Sequence, residues 1–190
     1  MTKQIQLFGI TIDAVNMADA LARVFQWVDQ HDGVCHYVVT PNVDHTVMLQ
    51  EQPRLREVYQ HAGLVLADGF PVVLAARLLR KALPGRVAGS DLVPALCEHA
   101  NATGQTLRLF LLGAMPGVAE RAKENIERRW PAVHVAGLYS PPLGFENDDA
   151  ENDKILQMIA AAQADVLVVG LGAPKQEFWV HTHREEIQAP

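Results

Sequence analysis

The chain has little cysteine, few aromatic residues and fewer basic than acidic side chains. Its 190 residues include two cysteines, Cys35 and Cys97, which are too few for a disulfide framework and typical of a reducing compartment. Lys and Arg together number 16 against 22 Asp and Glu, which gives a formal net charge of −6. Modules that bind nucleic acid normally carry a basic surface stripe. The composition therefore argues against nucleic acid as a partner.

Long hydrophobic runs are absent as well. The N-terminal segment MTKQIQLFGITIDAVNM has no basic stretch followed by a long apolar run, so we expect no signal peptide. No stretch reaches the about 18 consecutive apolar residues that a membrane-spanning helix requires. Any contact with a membrane is therefore expected to be peripheral.

Several motifs of metal- and cofactor-dependent enzymes are missing. No Cys and His spacing matches a zinc site, and His181 and His183 are spaced so that they fall on different faces of a helix. No Asp-x-Asp follows a predicted strand, so a metal-bound nucleotide sugar is not indicated. The Gly-x-Ser-x-Gly motif of hydrolases and the Gly-x-Gly-x-x-Gly fingerprint of dinucleotide-binding folds do not occur. We expect no metal and no bound cofactor, and an NAD-dependent oxidoreductase is disfavoured.

Apolar runs rich in β-branched residues alternate with segments of helical spacing. The predicted strands are Val34–Thr40, Leu64–Ala67, Leu107–Leu112, Val133–Leu138 and Val166–Val169. The predicted helices include Met17–Gln30, Asp91–Ala102, Val118–Trp130 and Asp148–Gln163. This alternation predicts a single α/β domain with a mostly parallel sheet and helices on both faces.

Two other segments leave alternatives open. Ile5–Ile12, with Gly9 in its middle, is predicted to form either a short edge strand or a hairpin. The apolar residues of Phe70–Leu79 are expected to pack in the core, and a membrane-facing or dimer surface is the alternative.

Two predicted strands end in glycine turns. In LFLLGAMPGV, Gly113 opens a turn that is either a phosphate-binding loop or a plain strand-to-helix connection. In VVGLGAPKQE, Gly172 is followed by Lys175 and Gln176 in the first turn of a helix. A cation at that end opposes the helix dipole, so an anion beside Lys175 is expected, although both side chains are also ordinary surface residues.

Polar side chains follow other predicted strands. Asp68 is either the N-cap of the next helix or a general base. Thr40 and Asn42 present a hydroxyl and an amide that suit a sugar, although Asn42 or Asp44 also suits a helix cap. Arg86, in the loop GRVAGSDLV before a predicted helix, is predicted either to pair with Asp91 or to bind a diphosphate. Tyr139 either stacks on a base or anchors its own loop.

Taken together, these strand ends resemble the WecG/TagA/CpsF family of bacterial glycosyltransferases. The resemblance runs from about Ile5 to His183, through six segments in the same order: VVTPNVDH, LADGFPVV, GRVAGSDLV, LFLLGAMPGV, AGLYSPPLGFE and VVGLGAPKQE. It implies a Rossmann-like fold and an inverting, metal-independent transferase that uses a UDP-sugar. It also implies a polyprenyl-diphosphate-linked acceptor and work at the cytoplasmic face of the cell membrane, in synthesis of teichoic acid or another surface polysaccharide.

The resemblance also implies roles for single residues. Asp68 matches the catalytic base of the family, and Thr40, Asn42, Arg86 and Gln176 match residues around the sugar and the diphosphate. Family members usually continue into an arginine-rich tail, so residues 1–190 are interpreted as one catalytic domain that lacks this tail.

The resulting hypothesis is transfer of a sugar of the N-acetylmannosamine type, with glucose or a uronic acid as other donors. The alternative is a non-catalytic domain that binds a nucleotide sugar. A homo-oligomer is compatible with both.

Overall fold

The computed structural model describes residues 3–30, 32–81, 83–187 and 189. These residues form two compact units. The first unit comprises the chain up to Gln26 together with His36–Pro94, and the second comprises Trp27–Cys35 together with the chain from Ala95 onward. The prediction of one catalytic domain over residues 1–190 stays a prediction.

The first unit contains a hairpin and a pair of short parallel strands. Strands β1 (Gln4–Leu7) and β2 (Ile10–Asp13) pair antiparallel. The two residues between them, Phe8 and Gly9, both have positive φ, as the tight turn of a hairpin requires. The hairpin alternative for this segment is therefore confirmed.

The rest of the first unit alternates strands with helices. Helix α1 (Met17–Gln30) continues into the second unit. It is followed by β3 (Val38–Val39), α2 (Val43–Glu51), α3 (Pro53–Gln60), β4 (Leu64–Val65), α4 (Phe70–Leu78) and α5 (Gly89–Thr103). Like α1, helix α5 continues into the second unit, from Ala95 onward. Strands β3 and β4 pair in parallel, so their carboxyl ends lie at the same edge.

The second unit is built on a three-stranded parallel sheet. Its elements are β5 (Leu107–Gly113), α6 (Val118–Arg129), β6 (Val133–Tyr139), a 3-10 turn (Phe145–Asn147), α7 (Asp149–Ala162), β7 (Val166–Gly170) and α8 (Lys175–His183). Strand β5 lies between β6 and β7 and is buried at every position except Arg108. The core of this unit includes Phe110, Ile155, Ile159 and Trp179. The predicted α/β class with mostly parallel strands is thus confirmed.

Two expectations from the sequence need correction. The apolar run Val34–Thr40 forms a strand only at Val38–Val39, and Val34 itself is exposed. In α4, only one face packs in the core, because Val72 and Ala76 are buried whereas Phe70 and Leu78 are 70% and 76% exposed.

No helix in the described part of the chain is long and apolar enough to cross a membrane.

Candidate functional site

Three loops of the first unit are joined by backbone hydrogen bonds beyond β3 and β4. The N–H of Asp68, after β4, donates to the carbonyl of Pro41, after β3, at 3.0 Å. The N–H of Val87 donates to the carbonyl of Ala67 at 2.9 Å. The parallel register of β3 and β4, with these two hydrogen bonds, therefore places the segments that carry Thr40–Asn42, Asp68 and Arg86 side by side.

The Asp68 carboxyl group is partly shielded but still open to solvent, with 25% of its side chain exposed. Burial raises its pKa above the ordinary value, and the neighbouring Asp91 adds to the rise. Arg86, the N–H of Gly69 and His45 act in the opposite direction. Asp68 is therefore a carboxyl group that gives up its proton less readily than an exposed one and takes it back more readily, which suits a general base.

Asp68 does not cap the helix that follows it. The N-cap of α4 is Gly69, whose φ of +89° favours glycine, and no side chain makes a capping hydrogen bond there. The capping alternative for Asp68 is therefore wrong, and this role does not occupy the carboxylate.

Arg86 lies between two carboxylates. Its Nη2 donates to Asp91 Oδ2, and its Nη1 is 4.0 Å from Asp68 Oδ1. The predicted pairing with Asp91 is thus confirmed, and it directs the guanidinium toward Asp68. About half of the Arg86 side chain remains exposed, so a further anion can reach it.

Thr40 and Asn42 border the same loops. Asn42 is the N-cap of α2, where its Oδ1 accepts the N–H of His45 at 3.2 Å and lies 2.6 Å from His45 Nδ1. Neither contact uses the amide nitrogen of Asn42. Thr40 lies against the first turn of α5, since a Cβ built on Gly89 would be 3.1 Å from its Oγ1. The hydroxyl and amide predicted for sugar recognition therefore lie in the same group of loops as Asp68 and Arg86. Thr40, Asn42, Asp68 and Arg86 are called the Asp68 neighbourhood.

Glycines lie at the carboxyl ends of β5 and β7 in the second unit, where the two backbones approach closely. Gly113 has a φ of +106°, and a Cβ there would lie 2.6 Å from the carbonyl carbon of Gly170. The N–H of Ala114 donates to the Gly170 carbonyl at 3.0 Å, and Ser140 Oγ donates to the Gly113 carbonyl at 3.1 Å. The ends of β5, β6 and β7 are thus held together by close backbone approach, which only glycine permits.

Gln176 and Lys175 begin α8 and each has a partner within the chain. The N–H of Gly172, whose φ is +83°, donates to Gln176 Oε1 at 3.2 Å, so Gln176 fixes the glycine turn. Lys175 Nζ is 2.9 Å from Glu146 Oε1. The hydrogen bond from Lys175 lowers the pKa of Glu146. The anion expected beside Lys175 is therefore a carboxylate of the chain itself.

Tyr139, the last residue of β6, is anchored by α7. Its hydroxyl contacts Glu151 and Lys154, and Lys154 Nζ lies 4.3 Å from the ring centroid. The anchoring role is confirmed. Stacking on a base stays a prediction, and Lys154 leaves only the opposite ring face for it.

Sequence reasoning did not single out Glu146 or Asn152. Asn152 is buried in α7, where Nδ2 donates to the carbonyls of Phe145 and Asp148 at 3.0 and 2.9 Å and Oδ1 accepts Trp179 Nε1 at 2.8 Å. It thereby fixes the 3-10 turn that presents Glu146. The available signal was an amide in helical register with the buried Ile155 and Ile159.

The predicted site residues thus fall into two groups. The first unit brings together Thr40, Asn42, Asp68 and Arg86. The second unit brings Gly113, Tyr139, Gly172, Lys175 and Gln176 to the carboxyl edge of its sheet. Within the described residues, no group of three or more His, Cys, Asp or Glu side chains is arranged to hold a metal ion.

The amino-acid sequence is similar to those of known proteins. An N-acetylglucosaminyldiphosphoundecaprenol N-acetyl-beta-D-mannosaminyltransferase of Bacillus spizizenii (strain ATCC 23059 / NRRL B-14472 / W23) is 34% identical over 158 residues, which cover 83% of this chain and 58% of that protein. A protein of the same name from Staphylococcus aureus (strain NCTC 8325 / PS 47) is 26% identical over 188 residues, or 99% of this chain and 71% of that protein. The chain thus spans little more than half the length of the Bacillus relative.

The profile of the glycosyl transferase WecG/TagA/CpsF family matches residues 5–190, nearly the whole sequence. The match includes both groups of site residues described above. The chain therefore belongs to the glycosyl transferase WecG/TagA/CpsF family.

Proposed function

We propose that the chain is the catalytic part of an inverting glycosyltransferase. It transfers a sugar of the N-acetylmannosamine type from a UDP-sugar to a saccharide linked to a polyprenyl diphosphate. The observation that carries the proposal is the partly exposed Asp68 carboxyl group, with its raised pKa and with Arg86 at 4.0 Å. The names of the two relatives support the choice of sugar and acceptor over glucose or a uronic acid.

In the proposed reaction, a hydroxyl of the acceptor attacks the anomeric carbon of the donor sugar. Asp68 takes the hydroxyl proton as the new carbon–oxygen bond forms. The bond from the anomeric carbon to UDP breaks in the same step, and its electron pair leaves with the diphosphate. One displacement of this kind inverts the anomeric configuration.

The other residues of the Asp68 neighbourhood have supporting roles in this proposal. Arg86 stabilises negative charge on the leaving diphosphate, and its bond to Asp91 orients it before substrate arrives. Thr40 and the amide nitrogen of Asn42 are proposed to pair with sugar hydroxyls.

The second unit carries its own set of residues that we propose to bind phosphate. Gly113, Gly172 and Gln176 shape the turns, Lys175 supplies the charge, and Tyr139 offers a ring face. A nucleotide diphosphate that binds Lys175 must compete with Glu146 for it.

The partners and location are proposed on the same basis. The acceptor carries a polyprenyl chain, so the protein would work at the cytoplasmic face of the membrane, as a peripheral protein. No cofactor enters the proposed reaction beyond the donor itself.

Asp68→Asn tests the proposed base. It keeps the side chain's size and removes the proton acceptor, so transfer should fall by about 10² to 10⁴-fold while UDP binding measured by calorimetry is retained. The assay offers a panel of UDP-sugars with a lipid-diphosphate-linked acceptor and identifies products by mass. Asp153→Asn, an exposed substitution on α7, is the matched control. Transfer by Asp68→Asn at the parent rate would show that Asp68 is not the base.

The alternative is a domain that binds a nucleotide sugar without catalysis. It is kept because the chain spans 58% of the length of the Bacillus relative. Saturable UDP binding with no turnover on any donor in the panel would favour it.

A further inference from the structure

Helix α4 is apolar on two faces. Val72 and Ala76 are buried, whereas Phe70, Leu74 and Leu78 recur every fourth residue on the outside and are 70%, 40% and 76% exposed. Leu79, just after the helix, is 58% exposed. These four residues, Phe70, Leu74, Leu78 and Leu79, are called the α4 stripe.

An exposed stripe of this kind needs an explanation. Single exposed apolar side chains are ordinary, but contiguous apolar patches on a protein surface mark contact sites. A helix that is apolar around its circumference is normally covered on both sides. The α4 stripe is therefore a surface that something else covers.

The charges beside the stripe indicate what covers it. Arg77 lies in the last turn of α4, and Arg80 and Lys81 follow the helix. All three are exposed, Lys81 while its Nζ donates to the carbonyl of Gln6, and the segment Gly69–Lys81 contains no acidic residue. The segment thus carries three positive charges in a chain whose net charge is −6. Apolar side chains flanked by cations complement a bilayer that contains anionic lipids.

We propose that α4 docks the protein on an anionic bilayer surface. The α4 stripe enters the boundary between headgroups and acyl chains, and Arg77, Arg80 and Lys81 meet lipid phosphates. The inference rests on the proposed function, because α4 begins two residues after Asp68. A docked helix would hold the catalytic carboxylate at the surface where a lipid-linked acceptor presents its saccharide.

Vesicle sedimentation tests the apolar part of the proposal. The full chain is mixed with vesicles of pure phosphatidylcholine or of phosphatidylcholine with about 30% phosphatidylglycerol. We expect the parent protein to bind the anionic vesicles, and Leu78→Ser with Leu79→Ser to weaken binding about tenfold or more. Met115→Ser with Leu143→Ser removes two apolar side chains elsewhere that are at least as exposed, at 76% and 100%, and should bind as the parent does. Circular dichroism checks that all variants fold.

The cations have a test of their own. Arg77→Gln and Arg80→Gln should each weaken binding to anionic vesicles about fivefold, and added salt should have the same effect on the parent. Equal binding of the parent to both kinds of vesicle would overturn the role given to the cations. Unchanged binding by the Leu78 and Leu79 double variant would overturn the role given to the α4 stripe.

A second copy of the chain is the rival occupant. Sedimentation equilibrium decides this: a parent dimer that becomes a monomer in the double variant, with vesicle binding unchanged, would assign the stripe to self-association instead. Transfer to an acceptor with a short, water-soluble lipid separates this inference from the proposed function. Loss of vesicle binding with that transfer retained supports both. Absence of transfer in every variant would contradict the proposed function, and the vesicle results would still decide the docking surface.

Discussion

The proton affinity of Asp68 depends on its burial and on the charged groups around it. Burial and the charge of Asp91 raise its pKa, whereas the guanidinium of Arg86 lowers it. Arg86 is itself bonded to Asp91, so Asp91 both repels the Asp68 carboxylate and neutralises the cation that stabilises it. The pKa of Asp68 is therefore adjustable in both directions by substitutions that leave Asp68 in place.

Substitutions at Arg86 and Asp91 should shift this pKa in opposite directions. Arg86→Gln removes a positive charge that favours ionised Asp68, so the pKa should rise. Asp91→Asn removes a negative charge and releases Arg86 toward Asp68, so the pKa should fall. The direction of each shift is measured by carbon NMR titration of the Asp68 carboxyl group.

The same substitutions should move the pH dependence of transfer. The base acts when it is ionised, so the acid limb should lie at higher pH in Arg86→Gln and at lower pH in Asp91→Asn. Asp153→Asn should leave the titration unchanged. Two shifts of the same sign would contradict the arrangement of charges described for this site.

At the scale of elements, the second unit depends on the contact between the ends of β5 and β7. Gly113 combines a positive φ with a position where a Cβ meets the Gly170 backbone. A side chain at this position would be strained by the positive φ and would also clash with the Gly170 backbone, so only glycine fits this turn. A rigid turn of this kind can hold backbone groups in place for a ligand.

Gly113→Ala should therefore lower the free energy of unfolding by more than about 2 kcal/mol, as measured by urea denaturation. Gly104→Ala is the matched control, because Gly104 also has a positive φ but faces open space. It should cost only about 1 kcal/mol. Equal costs at the two positions would mean that the Gly170 contact is relieved by a small backbone shift.

Local sequence patterns predicted helices well, because helix formation depends mainly on residues within the segment itself. The helix predicted for Met17–Gln30 has those bounds in the structure, and Val118 begins α6 as predicted. The run Val34–Thr40 has the composition of a strand but pairs only at Val38–Val39. Pairing depends on a partner strand, and β4 is only two residues long.

In the candidate site, too, residues were predicted from their local sequence, whereas contacts between distant residues were not. Asp68 was identified at a strand end that precedes a helix, because ligand-binding loops of parallel sheets occur there. Arg86 was identified in the loop that precedes α5. The partner of Lys175 could not be predicted, since Glu146 is distant in sequence and its turn is fixed by the buried Asn152. Helix α4 is apolar at every position except Arg77, so its residue pattern did not indicate which face would be buried.

The charge of the whole molecule bears on how it would bind UDP. A chain with a net charge of −6 repels a diphosphate, so binding requires local cations, a metal ion or both. Metal independence is a prediction from the family resemblance. If it holds, side-chain cations must supply the positive charge, and Lys175 is the one predicted to do so in the second unit.

Calorimetry with UDP tests this on the full chain. We expect the same affinity in EDTA and in Mg²⁺, because the cations of the chain, not an ion, meet the phosphates. Lys175→Met should weaken binding about tenfold, the value of one charged hydrogen bond. Glu146→Gln should strengthen it, because it removes the carboxylate that competes for Lys175. Both substitutions break the same ion pair, so a purely structural role of that pair would change UDP affinity in the same direction in both variants. Opposite changes in affinity therefore indicate that Lys175 binds the nucleotide.

Asp149→Asn is the control for Glu146→Gln, because it also removes one negative charge near the start of α7 but makes no contact with Lys175 in the structure. A gain in affinity with both variants would be a general charge effect and would contradict competition at Lys175. Loss of UDP binding in EDTA, restored by Mg²⁺, would show that the diphosphate is held through a metal ion. The cations of the chain would then be insufficient to offset its negative net charge.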